Sequence, residues 1–208
     1  MRLKVENNSS APAAQPDEVV LRHFQESIEV KQRAAAVIAG PATEAATRMT
    51  AALQAGHKVL VCGNGGSAAD AQHFAGEMVG RFKMRGRAAL PVLALTTDTT
   101  ILTCVANDFC YDEVFSRQVE AFAQPGDVLV AISTSGRSPN VLLAGRAARK
   151  AGAGVIALVG GDGGPLAQEA DIAIVVPSPD TARIQECHIT AIHAMCELIE
   201  GAVGTPAC

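Results

Sequence analysis

The chain has 208 residues, 49% of them hydrophobic, and a formal net charge of −4. That length fits one domain with a sizeable core, and the scattered basic residues leave no electrostatic footprint for nucleic acid. An anionic ligand must therefore be held by local donors, not by a basic surface.

The six cysteines (62, 104, 110, 187, 196 and 208) form no CxxC pair, which reads as reduced thiols in a cytoplasmic protein. No run reaches the length of a membrane span. The first ten residues lack the apolar core of a signal peptide. Residues 1–16 read as a disordered leader and 204–208 as a short tail, with a single domain over 17–203.

From Asp17 to Ala39, apolar residues at Val20, Phe24, Ile28 and Ala35 have helical spacing. Gly40-Pro41 predicts a stop, with Pro41 in the first turn of a second helix that runs to Gln54. Gly56 suits the left-handed cap that follows. Five apolar runs come next, at 58–62, 91–96, 128–132, 154–159 and 171–176, dense in Val, Ile and Leu without strict alternation. Strands buried on both faces look like this. Helical stretches at 67–82, 99–107, 112–122, 138–151, 163–168 and 180–203 separate or follow them. The fold class is therefore α/β, a parallel sheet covered by helices on both faces. The helices of 17–55 fall outside this alternation, so they should extend one face of the sheet or pack on another subunit.

Two loops carry most of the chemistry. The run 128–132 leads into Ser133-Thr134-Ser135-Gly136-Arg137-Ser138-Pro139, where Pro139 fits the first helical position and Ser138 the N-cap. One hydroxyl would suffice for a cap, and four are present. Free backbone N–H groups at such a helix start favour an anion. There is no Gly-Lys-Ser/Thr, so this is not a nucleotide P-loop. The other loop, Gly63-Asn64-Gly65-Gly66-Ser67, satisfies G-x-G-x-x-A through Ala68, but no acidic residue ends a second strand at dinucleotide spacing.

His73 and Glu77 stand at i, i+4, so a helix projects both from one face. That arrangement suits two ligands of one divalent metal, or a base beside its orienting partner. Taken alone, the same spacing also describes an ordinary surface pair. On the last helix Gln185 and His193 share a broad face, whereas His188 lies about 140° from His193. The two histidines should not enter the same site.

In combination, residues 63–77, Asn107-Asp108, Ser133–Ser138 and the Arg183-Ile-Gln185-Glu-x-His188-x-x-x-x-His193 pattern strongly resemble the sugar-isomerase (SIS) family, and within it the phosphoheptose isomerases. The resemblance spans about 17–203, with the four motifs in order. It implies a three-layer sandwich on a five-stranded parallel sheet and a homotetramer with active sites at subunit interfaces. Zinc ligands would fall on His73, Glu77, Gln185 and His193. Contacts to the sugar phosphate would fall on Asn64, Gly65, Gly66, Glu77, Asn107, Asp108, Ser133, Thr134, Ser135, Ser138 and Gln185. The implied reaction moves a proton between C1 and C2 of sedoheptulose 7-phosphate through an enediol, at the start of lipopolysaccharide heptose synthesis. Glu77 and His193 are the implied acid–base residues, with Asp70 and Asp108 available to orient hydroxyls or a catalytic group. Arg137 stands where relatives often carry Asn or Lys, and it adds a guanidinium near the phosphate. A rival is the binding protein of the same fold that associates with the bacterial replication initiator. That protein lacks the acid corresponding to Glu77, which this chain has. A sugar-phosphate sensing module is a third reading, and residues 1–57 carry no basic recognition helix for it.

Overall fold

The structure is a computed structural model that describes residues 15–204. The leader therefore lies outside the described residues up to position 14, and its last residue, Pro16, already opens the first helix. Of the tail, only Gly204 is described.

In chain order the elements are α1 (Pro16–Gln54), β1 (Val59–Gly63), α2 (Gly66–Val79), β2 (Val92–Ala94) and α3 (Thr99–Asp108). A 3₁₀ turn (Tyr111–Glu113) precedes α4 (Ser116–Phe122), β3 (Val128–Ser133), α5 (Pro139–Lys150) and β4 (Gly154–Gly160). The chain closes with α6 (Gly164–Glu169), β5 (Ile172–Val176) and α7 (Thr181–Val203).

The expected break at Gly40-Pro41 does not occur: α1 is one helix of 39 residues with Pro41 inside it. A proline there removes one hydrogen bond and crowds the preceding turn, at a cost of about 3 kcal/mol. The buried stripe shows what offsets this. Val30, Ala34 and Ile38 before the proline continue in register as Ala42, Ala45, Ala46, Met49 and Leu53 after it. Val30 and Ile38 alone contribute about 1.5–3 kcal/mol each when buried, so a break would forfeit more than the proline costs. Thr43 Oγ1 also donates to Ala39 O at 2.9 Å.

All five strands are parallel, in the order β2-β1-β3-β4-β5. The central strands β1, β3 and β4 are buried along their whole length, as their unbroken apolar runs require. The edge strands β2 and β5 alternate instead, and Leu93 faces outward. One apolar core joins α1, α2 and α7 to one face of the sheet, and a second joins α3, α4, α5 and α6 to the other. The C-terminal half of α1 thus extends a layer of its own subunit.

The chain winds from β1 outward to β2, then returns to place β3 on the other side of β1. The loops leaving β1 and β3 therefore diverge and open a crevice at the carboxyl ends of the strands. In open parallel sheets this is where ligands bind.

Candidate active site

The crevice between those loops holds a cavity of about 280 Å³. Its walls include Asn64, Gly65, Gly66, Ser133, Thr134, Ser138 and Gln185 from the expected contact set, together with Ser67, which the first loop contains but that set omits, and Thr181, which the sequence did not single out. Ser67 is buried one residue into α2.

The helix starts explain why this cavity suits an anion. Asp98 caps α3 by accepting from Thr100 N and Ile101 N, and Asp180 caps α7 by accepting from Ala182 N and Arg183 N. Of the three helices that start at the crevice, α7 is thus capped by Asp180, while α2 and α5 have no side-chain cap. Ser138 occupies the N-cap of α5 as expected, yet its hydroxyl lies 3.1 Å from that of Ser133 instead of turning back to the helix. Ser67 N, Ala68 N and Val141 N donate to Asn64 O, Gly65 O and Ser138 O, and Pro139 carries no N–H, so the first-turn donors left to a ligand are Gly66 N and Asn140 N, with the positive ends of two helix dipoles behind them.

Two backbone features hold the cradle. Gly136 has φ +63°, and a Cβ on it would come within 2.0 Å of Gly163 O, so only glycine lets the β3–α5 loop rest on the β4–α6 loop. Leu166 N donates to Gly136 O at 3.1 Å across that contact. A Cβ on Gly66 would fall 2.4 Å from Gln185 Nε2, so glycine there leaves room for the Gln185 amide. The Asn64 amide is fixed by a reciprocal pair of 2.9 Å bonds with Asn140, and Tyr111 Oη donates to Asn64 Oδ1 at 3.1 Å. Asn140 and Tyr111 were not legible as partners, because nothing in their spacing ties them to position 64.

Ser135 and Arg137 take a different place from the other hydroxyls. Ser135 Oγ accepts from Arg137 N at 3.2 Å, and both residues line an adjoining cavity of about 200 Å³. The Arg137 guanidinium pairs with Asp162 at 2.5 Å. Asn107 and Asp108, the last residues of α3, are not among the walls of the main cavity; Asn107 Nδ2 donates to Asp108 Oδ1 at 2.8 Å.

The second half of the site stands on α2 and α7, the helices that also wall the cavity. His73 Nε2 lies 2.8 Å from His193 Nε2 and 3.3 Å from Glu77 Oε1. His193 also stacks on Phe82, with ring centroids 5.6 Å apart and planes 24° apart. One turn before His73, Asp70 has a buried Oδ2 with no hydrogen-bond partner, and burial raises its carboxyl pKa although the charge of His73 opposes this. His188 points into the core, as its angular offset implied. It is fully buried with Nε2 3.1 Å from Val159 O, and burial pushes its pKa down to about 4. Cys62, Cys187 and Cys196 are buried thiols with raised pKa values, which removes them as nucleophiles.

Comparison with known proteins places this geometry. The SIS domain family matches residues 22–160. A phosphoheptose isomerase of Citrifermentans bemidjiense is 59% identical over 161 residues, covering 77% of this chain and 83% of that protein. The solved phosphoheptose isomerase of Neisseria gonorrhoeae superposes with a TM-score of 0.85 at 50% identity, over 90% of this chain and all of that one. That of Francisella tularensis gives 0.87 at 38% identity, over the same shares. With this sheet order, this crevice and these relatives, the chain belongs to the SIS-domain family and, within it, to the phosphoheptose isomerases.

Proposed function

We propose that the crevice is where this isomerase interconverts sedoheptulose 7-phosphate and D-glycero-D-manno-heptose 7-phosphate, the first step of ADP-heptose and lipopolysaccharide core synthesis. The observation that carries the assignment of roles is the convergence of His73, Glu77 and His193 on the two helices that wall the anion cavity. The phosphate sits against the starts of α2 and α5, among Ser133, Thr134 and Ser138, with Ser135 beside them. Asn64, Gly65 and Gly66 flank it, and Gln185 reaches the sugar. Asn107 and Asp108 belong to the same substrate set, contributing from the end of α3. Phosphate binding far from the reacting carbons supplies positioning energy to the chemical step.

Glu77 takes the carbon-bound proton next to the carbonyl, and His193 handles the proton of the carbonyl oxygen, giving the enediol. Return of the proton to the neighbouring carbon completes the exchange. His73 holds both groups in place through its contacts at 2.8 and 3.3 Å.

Among the described residues no three His, Cys, Asp or Glu side chains stand in ready metal-holding geometry. The donor types nevertheless fit a divalent ion. Two imidazole nitrogens face each other beside a carboxylate oxygen, an arrangement that asks for a shared positive charge. His73, Glu77, Gln185 and His193 would hold one Zn²⁺ per subunit, and the amide ligand makes it replaceable. When bound, such an ion supplies Lewis-acid polarisation of the carbonyl and stabilises negative charge on its oxygen.

The assembly is a cytoplasmic homotetramer with active sites at its interfaces. Val20, Leu21, Phe24 and Ile28 on the first half of α1 are each more than half exposed and form an apolar stripe that another copy would cover. The relatives named above are phosphoheptose isomerases, which supports this reading over the replication-initiator one. The proposal is tested by NMR observation of sedoheptulose 7-phosphate with purified protein, with added zinc and with chelator. Appearance of the aldoheptose phosphate, lost with chelator and restored by zinc, is the expected result. Turnover unaffected by chelator in metal-free protein would remove the cation, and no turnover at all would remove the reaction.

A further inference from the structure

The most heavily bonded side chains among the described residues lie just behind the acid–base cluster. Glu200 and Arg87 form an ion pair at 2.9 Å with side-chain exposures of only 2% and 1%. Glu200 stands two turns after His193 on α7 and so shares its face. Its carboxylate accepts four hydrogen bonds: Phe82 N and Arg87 Nε on Oε1, both at 2.9 Å, and Lys83 N at 2.7 Å and Met84 N at 2.9 Å on Oε2. Arg87 spends its remaining donors on carbonyls: Met78 O at 2.7 Å, Ala88 O at 2.8 Å and, through the other amino group, Glu77 O at 2.7 Å.

Those carbonyls matter because of where they lie. Glu77 O and Met78 O are in the last turn of α2, where the helix leaves its own acceptors unpaired. The planar guanidinium fork closes that end and complements the dipole. The three amides bound by Glu200 lie in the segment whose Phe82 ring stacks on His193. Both partners of the proposed proton transfer therefore connect to one buried pair, Glu77 through its own carbonyl and His193 through Phe82.

We propose that Arg87 and Glu200 are positioning residues for the isomerisation. They fix the C-terminal turn of α2 under Glu77 and press Phe82 against His193, holding the two groups at working distance. This rests on the acid–base roles given to Glu77 and His193 above. A buried ion pair retained only for charge balance would be served equally by lysine. The geometry needs the fork, because a single ammonium cannot bond Glu200, Met78 O and Glu77 O from the same positions.

The test uses Arg87→Lys and Phe82→Leu in the full-length protein, with Glu77→Gln as reference. In each variant kcat is expected to fall about ten- to a hundredfold while KM stays within about twofold, since the cradle is untouched. The ring signal of His193, identified by its absence in His193→Gln, is recorded in metal-free protein by histidine-labelled NMR. It is expected to move in both variants, downfield in Phe82→Leu as the stacked ring is removed. If Arg87→Lys fails to fold, Phe82→Leu decides alone. Wild-type kcat and an unmoved His193 signal in folded variants, with Glu77→Gln inactive, would overturn the positioning role and leave the acid–base reading standing. A moved His193 signal with wild-type kcat would also overturn it. If Glu77→Gln were then active as well, the failure would lie in the acid–base reading itself.

Discussion

The two halves of this site are built from different materials. The anion cradle is made of backbone and hydroxyls: two uncapped helix starts, three glycines and the Ser133–Ser138 pair, all within two short loops at the switch point of the sheet. The proposed acid–base cluster is made of side chains that meet across 120 residues, with a buried ion pair of hardly any exposed surface just behind them. A cradle of this kind is set once the strands pair, because its donors are fixed peptide dipoles. The cluster has to be held by its surroundings, and each support is a place where geometry, not affinity, can be lost. Defects in the cradle should therefore appear in KM and defects in the cluster in kcat.

The largest expected effect separates the halves most cleanly. Glu77→Gln keeps the shape of the cluster and removes the proposed base, so kcat should fall by about a hundred- to ten-thousandfold with KM near wild type. Steady-state kinetics on folded protein checks this. Gly66→Ala probes the seam, because Gln185 must yield to the new Cβ. Losing its contact with the ligand should raise KM about tenfold, in a protein whose unfolding temperature is unchanged or higher. Ser138→Ala stays inside the cradle and should raise KM about three- to tenfold with little change in kcat. A kcat defect of that size instead would break the division proposed here.

Acid tests the scaffold that both halves share. His188 is held neutral in the core with its pKa lowered to about 4, so it contributes stability that is complete above its unfolded value near 6.5 and is lost as pH falls from there toward 4. Burial alone would raise the Glu200 carboxyl, but Arg87 and the three backbone amides outweigh it and hold it at about 2. Its contribution is present above the usual carboxylate range and disappears as pH falls toward 2. Unfolding temperatures measured from pH 7 downward should fall first through the histidine step, and His188→Asn should flatten that step.

Legibility in the sequence followed the same division. β1, β3 and β4 are apolar runs buried on both faces, and the loops after β1 and β3 announced the cradle through glycines and surplus hydroxyls. His73 with Glu77 and Gln185 with His193 could be paired by helical spacing because each pair shares an element. The continuity of α1 could not be seen at Gly40-Pro41, since the proline signal is local and the stripe from Val30 to Leu53 is satisfied only by α7 and the sheet. Edge and centre strands also looked alike, because strand order is not written in any one run. Phe82, Arg87 and Glu200 were silent for a similar reason. A buried charge pair 113 residues apart has no period to betray it, and in sequence each reads as an ordinary surface residue.

The most direct test of the account is solvent exchange during turnover. With sedoheptulose 7-phosphate in D₂O, wild-type protein should place deuterium on C2 of the aldoheptose product, as the proposed route through Glu77 and an enediol requires. Glu77→Gln should bind the substrate yet incorporate none. Deuterium at the wild-type rate in folded Glu77→Gln would contradict the central claim and move the base to another residue.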